Sequence, residues 1–344
     1  MLLLCDRSRG VAPASWQGQR HPYITIGKAP SCVWTGPPAR SGQIVCTATG
    51  KAGARGAECD RLGTMALKSL IVFVDPSPGG VARTRYAVRL AAEHDAHLIG
   101  VFIAPTGWRR NPADGFVTGA VAVREMVERH SLFEREAAAG AIKNFEALAG
   151  RERVTFEFRS IEANNADELA RLHSLHSDLV IVGYPSPGGL PAQGTPAGML
   201  LATGVPFLIV PESWISDGAA NRILFAWNAS REARRAISDA LPLMKTAQSV
   251  TVLVIDPKKN ASHGEQPGAD VAHYLCRHGV IATVEQRQSE GKAVADVIRE
   301  FATHDGADLI VLGAYSHART REFIFGGVTR SLLRNITVPT LIAH

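Results

Sequence analysis

The residues best suited by type and spacing to do chemistry lie near the end of the chain. There an apolar run over 309–312 gives way to Gly313, Ser316 and His317 and then, nine positions beyond His317, to Gly326, followed by Gly327, Thr329 and Arg330. Glycines that open a helix let backbone N–H groups face an anion with no side chain in the way, and the start of a helix favours negative charge. The hydroxyls of Thr329 and Ser331 and the charges of Arg319, Arg321 and Arg330 would complete a cradle for phosphate. A second turn, Asn228-Ala229-Ser230, ends another apolar run and would join the cradle at one end of a sheet. The same residues admit a plainer use, in which the glycine pair lets a helix pack closely and the arginines are solvated. Composition leaves both open.

Other chemistries find no matching pattern. The chain lacks G-x-x-x-x-G-K-[ST], G-x-S-x-G and H-E-x-x-H, so a P-loop NTPase, an esterase-type nucleophile and a zinc protease lose their usual signatures. Of the 12 histidines, many fall at helix ends, as do His94, His97, His173 and His176, where solvation or capping is the ordinary use. His317 is the exception, because it lies inside the candidate cradle. Cys5, Cys32, Cys46 and Cys59 contain no C-x-x-C pair, and Cys276 lies in a helical pattern as a buried thiol would. We therefore assign no catalytic residue and no metal ligand.

The elements that must hold the cradle are legible because the chain repeats itself. Asp178-Leu-Val-Ile-Val-Gly183, followed by Val205-Pro206, recurs as Asp308-Leu-Ile-Val-Leu-Gly313 followed by Val338-Pro339. The openings match too, with Ser69 to Ser77 corresponding to Arg222 to Ser230. A period this long means tandem domains, not a stacked solenoid. Module 1 spans 66–213, with strands expected over 70–74, 98–103, 154–159, 179–182 and 206–210. Its helices are expected over 81–93, 121–148 and 166–173, with a short one before the last strand. Module 2 spans 219–344, with strands over 223–227, 250–255, 280–286, 309–312 and 339–342 and helices over 232–244, 269–277 and 293–304. The stretch 217–221 is the expected linker, and 257–267 replaces part of the long second helix of module 1. Continuously apolar strands alternating with helices imply a parallel sheet covered on both faces. The expected fold is α/β: two tandem, doubly wound, mostly parallel five-stranded sheets of Rossmann-like type.

Residues 1–64 differ, with no sustained apolar period, and are expected to be a disordered or non-native extension ahead of Met65. Eight of the 37 Lys and Arg and three of the 32 Asp and Glu precede Met65, which leaves 29 of each in the modules. The basic excess of the chain is thus confined to its front, and the modules offer no basic surface for nucleic acid. No apolar run approaches the roughly 18 residues of a membrane span, and Leu2-Leu3-Leu4 is too short for a secretory signal. The expectation is a cytoplasmic protein with no membrane or nucleic-acid partner.

Over 66–344 the chain resembles the universal stress protein family in its tandem two-domain form. Nucleotide-binding members carry G-x-x-G, nine residues, then Gly and Ser or Thr, after the fourth strand. Here Gly313 is followed by Ser316 where the second Gly is expected, and Gly327 stands in place of the hydroxyl residue after Gly326. The spacing survives while two of four motif positions depart. The family's other nucleotide contact, an Asp after the first strand, corresponds to Asp75 in module 1 and to Asn228 in module 2. Asp75 could equally cap the following turn. Module 1 has a proline-rich stretch over 184–196 where module 2 has the cradle. The resemblance implies an adenine nucleotide alpha hydrolase-like fold and a non-catalytic stress-response protein. It implies ATP or another phosphate-bearing ligand in module 2, held by Asn228, Ser230, Gly313, Ser316, His317, Gly326, Gly327, Thr329 and Arg330. It also implies an internal pseudo-dimer formed through the last strands, with a homodimer left open. Slow nucleotide hydrolysis or phosphoryl transfer, and a scaffold that has lost its ligand, are the alternatives.

Overall fold

The structure, a computed structural model, describes residues 32–35, 43–46, 66–103, 120–161, 166–184, 196–215, 219–314 and 327–344. Strands β1 (Cys32–Thr35) and β2 (Gln43–Cys46) form an antiparallel pair of their own. Both strands lie within residues 1–64 and, at four residues each, are too short to show a period in the sequence. The order of elements then continues as β3 (Ser69–Val74), α1 (Pro78–His94), β4 (His97–Ile103), α2 (Ala120–Arg151), β5 (Phe156–Ile161), α3 (Ala166–Ser174), β6 (Leu179–Tyr184), α4 (Pro196–Thr203) and β7 (Phe207–Pro211). The second half holds β8 (Arg222–Ala226), α5 (Arg231–Thr246), β9 (Ser249–Ile255), α6 (Ala269–Arg277), β10 (Ala282–Arg287), α7 (Val294–Asp305), β11 (Leu309–Gly313), α8 (Gly327–Arg334) and β12 (Thr340–Ala343). Between β9 and α6 lie two 3₁₀ turns, Pro257–Lys259 and Ala261–His263, in the segment expected to replace a helix.

Boundaries moved where caps, not periodicity, set them. α1 starts three residues earlier than its apolar pattern because Ser77 Oγ accepts the Gly80 N–H and Pro78 suits the first turn. α7 stops at Gly306, whose left-handed φ of 66° sends its N–H back to the carbonyls of Ala302 and Thr303. β5 lies two residues later than expected, since its outward-facing residues blur the apolar signal.

Strand order is β10-β9-β8-β11-β12-β7-β6-β3-β4-β5. Each half is parallel throughout, and the halves meet where β12 runs antiparallel to β7, with Leu341 opposite Leu208. The two five-stranded sheets are thus one continuous ten-stranded sheet. Alternate residues of each strand feed two cores, one on each face: Leu70, Val72 and Val74 on one side, Ile71 and Phe73 on the other. Both cores cross the joint, since Leu208 and Leu341 share one and Phe207 and Ile342 the other. Two aspartates repeat at the opposite, amino ends of the strands. Asp178 accepts the N–H groups of Lys68 and Ser69, and Asp308 those of Asn221 and Arg222, so each pins the start of its half's first strand to the fourth. Among the described residues no helix is long and apolar enough to cross a membrane.

Candidate functional site at the carboxyl ends of the strands

Strand order reverses direction between β8 and β11, because β9 and β10 build outward from one side and β12 from the other. At such a switch point the turns after the two strands diverge and leave a crevice between them. The turn after β8 is built from its own side chains. Asn228 Oδ1 accepts the Ser230 N–H at 3.2 Å, and Ser230 Oγ accepts the Ala233 N–H at 3.1 Å, capping α5. Ala229 between them takes a positive φ of 56°, which this tight turn requires. Both sequence-assigned polar groups are therefore engaged locally, and what the turn presents outward is mainly backbone.

Gly313 ends β11 against the first turn of α5. A Cβ there would sit 2.3 Å from both Ala233 N and Glu232 C, so the glycine permits contact between two backbones. It positions the crevice without facing it. Glu232, almost wholly buried, bonds to Arg231 and lies near His344. Burial alone would raise its pKa, yet bonding to its own N–H and to Arg231, with the charge of His344 nearby, holds it below the usual carboxylate value. His344 itself reaches the Ala314 carbonyl at 3.2 Å, at the point where the chain leaves β11.

α8 divides its residues sharply. Thr329, Leu332 and Leu333 are buried on one face at spacings of three and four, while Gly327 and Arg330 are exposed. Thr329 thus shares the buried face of α8 with Leu332 and Leu333. A Cβ on Gly327 would meet nothing within 4 Å, so the approach to its N–H is open. Ser316, His317 and Gly326 lie outside the described residues.

Residues 220–344, the stretch that carries this crevice, match the sequence model of the universal stress protein family. Over that stretch the chain is similar to the universal stress protein family. A universal stress protein from Archaeoglobus fulgidus DSM 4304 superposes with a TM-score of 0.57 at 13% identity, over 80% of this chain and 95% of that one. That span exceeds either module alone, so the likeness in fold extends through both. A putative universal stress protein from Pseudomonas aeruginosa UCBPP-PA14 covers 81% of this chain and 93% of its own at 15% identity and a TM-score of 0.49. A universal stress protein in complex with cAMP covers 43% of this chain and 99% of its own at 22% identity and a TM-score of 0.24. No curated protein sequence matches the chain.

Against this universal stress protein frame, the segment after β9 is a feature that reading the sequence missed. Asp256 follows the strand with a positive φ of 49° and clamps the ends of β9 and β10 together. Its Oδ2 accepts Lys259 Nζ and Ser289 Oγ, each at 2.6 Å, and its Oδ1 accepts the Ser289 N–H at 2.8 Å. Asn260, held by the two 3₁₀ turns, donates Nδ2 to the Asn228 carbonyl at 3.0 Å. The clamp thereby lays this connection beside the β8 turn. An acid in an αL position flanked by Pro and Lys reads as a loop, and only the return to Ser289, 33 residues away, discloses its function.

Hydrogen bonds from Lys259 and Ser289 hold the Asp256 pKa at about 2. The unfolded value is about 3.9, so the bound carboxylate contributes stability that is full above pH 4 and lost as pH falls toward 2. Asp256→Asn should lower the urea midpoint at pH 7 and flatten its decline between pH 4 and pH 2. Midpoints of the two proteins that fall in parallel with acid would show that the clamp contributes nothing.

Among the described residues no three His, Cys, Asp or Glu side chains group as a metal site would require. Cys276, expected to be buried, is half-buried on α6.

Proposed function

We propose that the chain is a non-catalytic, cytoplasmic stress-response protein whose second module binds an adenine nucleotide, ATP among them, or another phosphate-bearing ligand. Modules 66–213 and 219–344 act together as an internal pseudo-dimer joined through β7 and β12. The observation that carries the reading is the open, exposed start of α8 at the switch-point crevice of module 2, within the stretch matching the family. Gly327 N–H and the Arg330 guanidinium would take the phosphates, with the Asn228 turn forming the opposite wall and Ser316, His317 and Gly326 proposed from the sequence motif as further contacts. Helix-start N–H groups and an arginine suit a dianionic group in both charge and geometry.

A second reading has one observation in its favour. Asn228 Oδ1 and Ser230 Oγ are both engaged within their own turn, as they would be in an interaction scaffold that no longer holds a ligand. Release of small molecules from freshly purified protein, with chromatography of the extract, separates the readings. An adenine nucleotide in the extract supports the proposal. Subsequent incubation with ATP and Mg²⁺ should leave ATP intact, and steady formation of ADP would replace binding by the slow-hydrolase alternative.

A further inference from the structure

The two modules build the same turn at the mouth of the sheet but fill the space behind it differently. In module 1 Asp75 Oδ1 accepts the Ser77 N–H at 2.9 Å and also the Ser77 hydroxyl, and Ser77 Oγ caps α1. The two bonds donated by backbone N–H groups match those of Asn228 and Ser230 position for position. Eight residues beyond Asp75, however, stands Arg83, and eight beyond Asn228 stands Ala236. Arg83 is 1% exposed, as deeply buried as the apolar residues of the core. Its Nε donates to the Phe73 carbonyl at 2.8 Å, at the carboxyl end of β3, and its Nη2 donates to Asp75 Oδ2. Glu212, just after β7, lies against Gly79, with its Cγ 3.0 Å from where a Cβ would be, and adds negative charge near the guanidinium.

This is the recognition geometry that a guanidinium asks of a ligand site: a carbonyl and a carboxylate side by side for its planar fork, with the charge balanced and water excluded. The acid and the base are present together in module 1 and absent together in module 2, where a neutral Asn accompanies a small Ala. A lone buried arginine would be strongly destabilising, so Arg83 depends on the half-buried Asp75 beside it. The signal was present in the sequence. Arg83 lies four and seven residues before Ala87 and Leu90, on the apolar stripe of its helix, where a charge needs a partner.

We propose that Arg83 is the resident occupant of the module 1 mouth: its guanidinium lies beside Asp75, where the corresponding residues of module 2 are Asn228 and Ala236, so that module 1 is closed to nucleotides and serves as a rigid partner. Asp75 Oδ1 accepts from Ser77 and Oδ2 from Arg83, so both oxygens are engaged by groups of their own module. The assignment stands apart from the ligand proposed for module 2, and its test separates the two.

Thermal unfolding of the full chain would be compared for wild type, Arg83→Ala, Asp75→Asn and the double variant that reproduces module 2. Arg83→Ala should fall by about 10 °C, as the loss of one partner of a buried pair requires. The double variant should recover much of that fall. Methylguanidinium at about ten millimolar should raise the melting temperature of Arg83→Ala by several degrees while leaving wild type and the double variant unmoved, and tetramethylammonium should do neither. Additive single-variant effects, or equal responses to the two cations, would overturn the assignment. If Arg83→Ala does not fold, Arg83→Lys in the presence and absence of Asp75→Asn supplies the same cycle. ATP titration of wild type gives the second arm: two nucleotides per chain would overturn the closed mouth. Absence of binding would overturn the proposed function and leave the cycle to decide this inference.

Discussion

Leu341→Asp should unfold the chain or divide the sheet at its centre, at a cost of roughly 4 kcal/mol or more. Leu341 is 0% exposed in β12, with Val311 of β11 on one side and Leu208 of β7 on the other. A carboxyl group there finds no cation or donor, because the backbone on both sides is already paired in the ladder. The joint has a direct test as well. Cysteines at Leu208 and Leu341, or at Ile209 and Thr340, face each other across the antiparallel pair, and one of these adjacent registers should close under mild oxidant. Failure of both pairs to crosslink in a folded protein would remove the continuous sheet.

Gly313→Ala should be nearly as damaging, at about 3 kcal/mol. The added methyl would lie 2.3 Å from the backbone of Glu232 and Ala233, and backbone cannot rotate out of the way as a side chain can. Its effect should appear as a lowered melting temperature before any effect on ligands. A variant of wild-type stability would mean that β11 and α5 can separate at little cost, and would return Gly313 to a ligand role. Gly327 makes the contrast: its missing Cβ faces open space, so a side chain there should leave the fold intact. Two glycines drawn from one motif thus have opposite uses.

Much of the fold was legible because its causes are local and repeated. Leu179-Val180-Ile181-Val182 and Leu309-Ile310-Val311-Leu312 are apolar at every position, which only a sheet covered on both faces demands, and they occupy β6 and β11. The meeting of the two halves through their last strands was implied by the family resemblance, and an apolar edge strand that needs cover gives it a physical reason. The site was less legible for three physical reasons. Thr329 was read from its distance to Gly326, but a helix assigns faces by rotation, and the one that buries Leu332 and Leu333 buries Thr329 too. Asn228 and Ser230 were read as ligand groups, although short polar side chains in a turn serve their own backbone first. Asp256 and Arg83 act through partners that are 33 and 8 residues distant, and no local pattern announces the first of these.

We have proposed that module 2 holds a phosphate-bearing ligand at the open start of α8. Calorimetric titration of ATP into wild type and Gly327→Val tests it most directly, with unfolding temperatures recorded alongside. The account predicts one site per chain in wild type, near-equal melting temperatures, and binding lost in the variant. The loss follows from phosphate hydrogen bonds of about 1.5–3 kcal/mol each. Equal affinity for ATP in the two proteins would contradict it and place the ligand elsewhere, and a wild type that takes up no nucleotide would leave the scaffold as the better description.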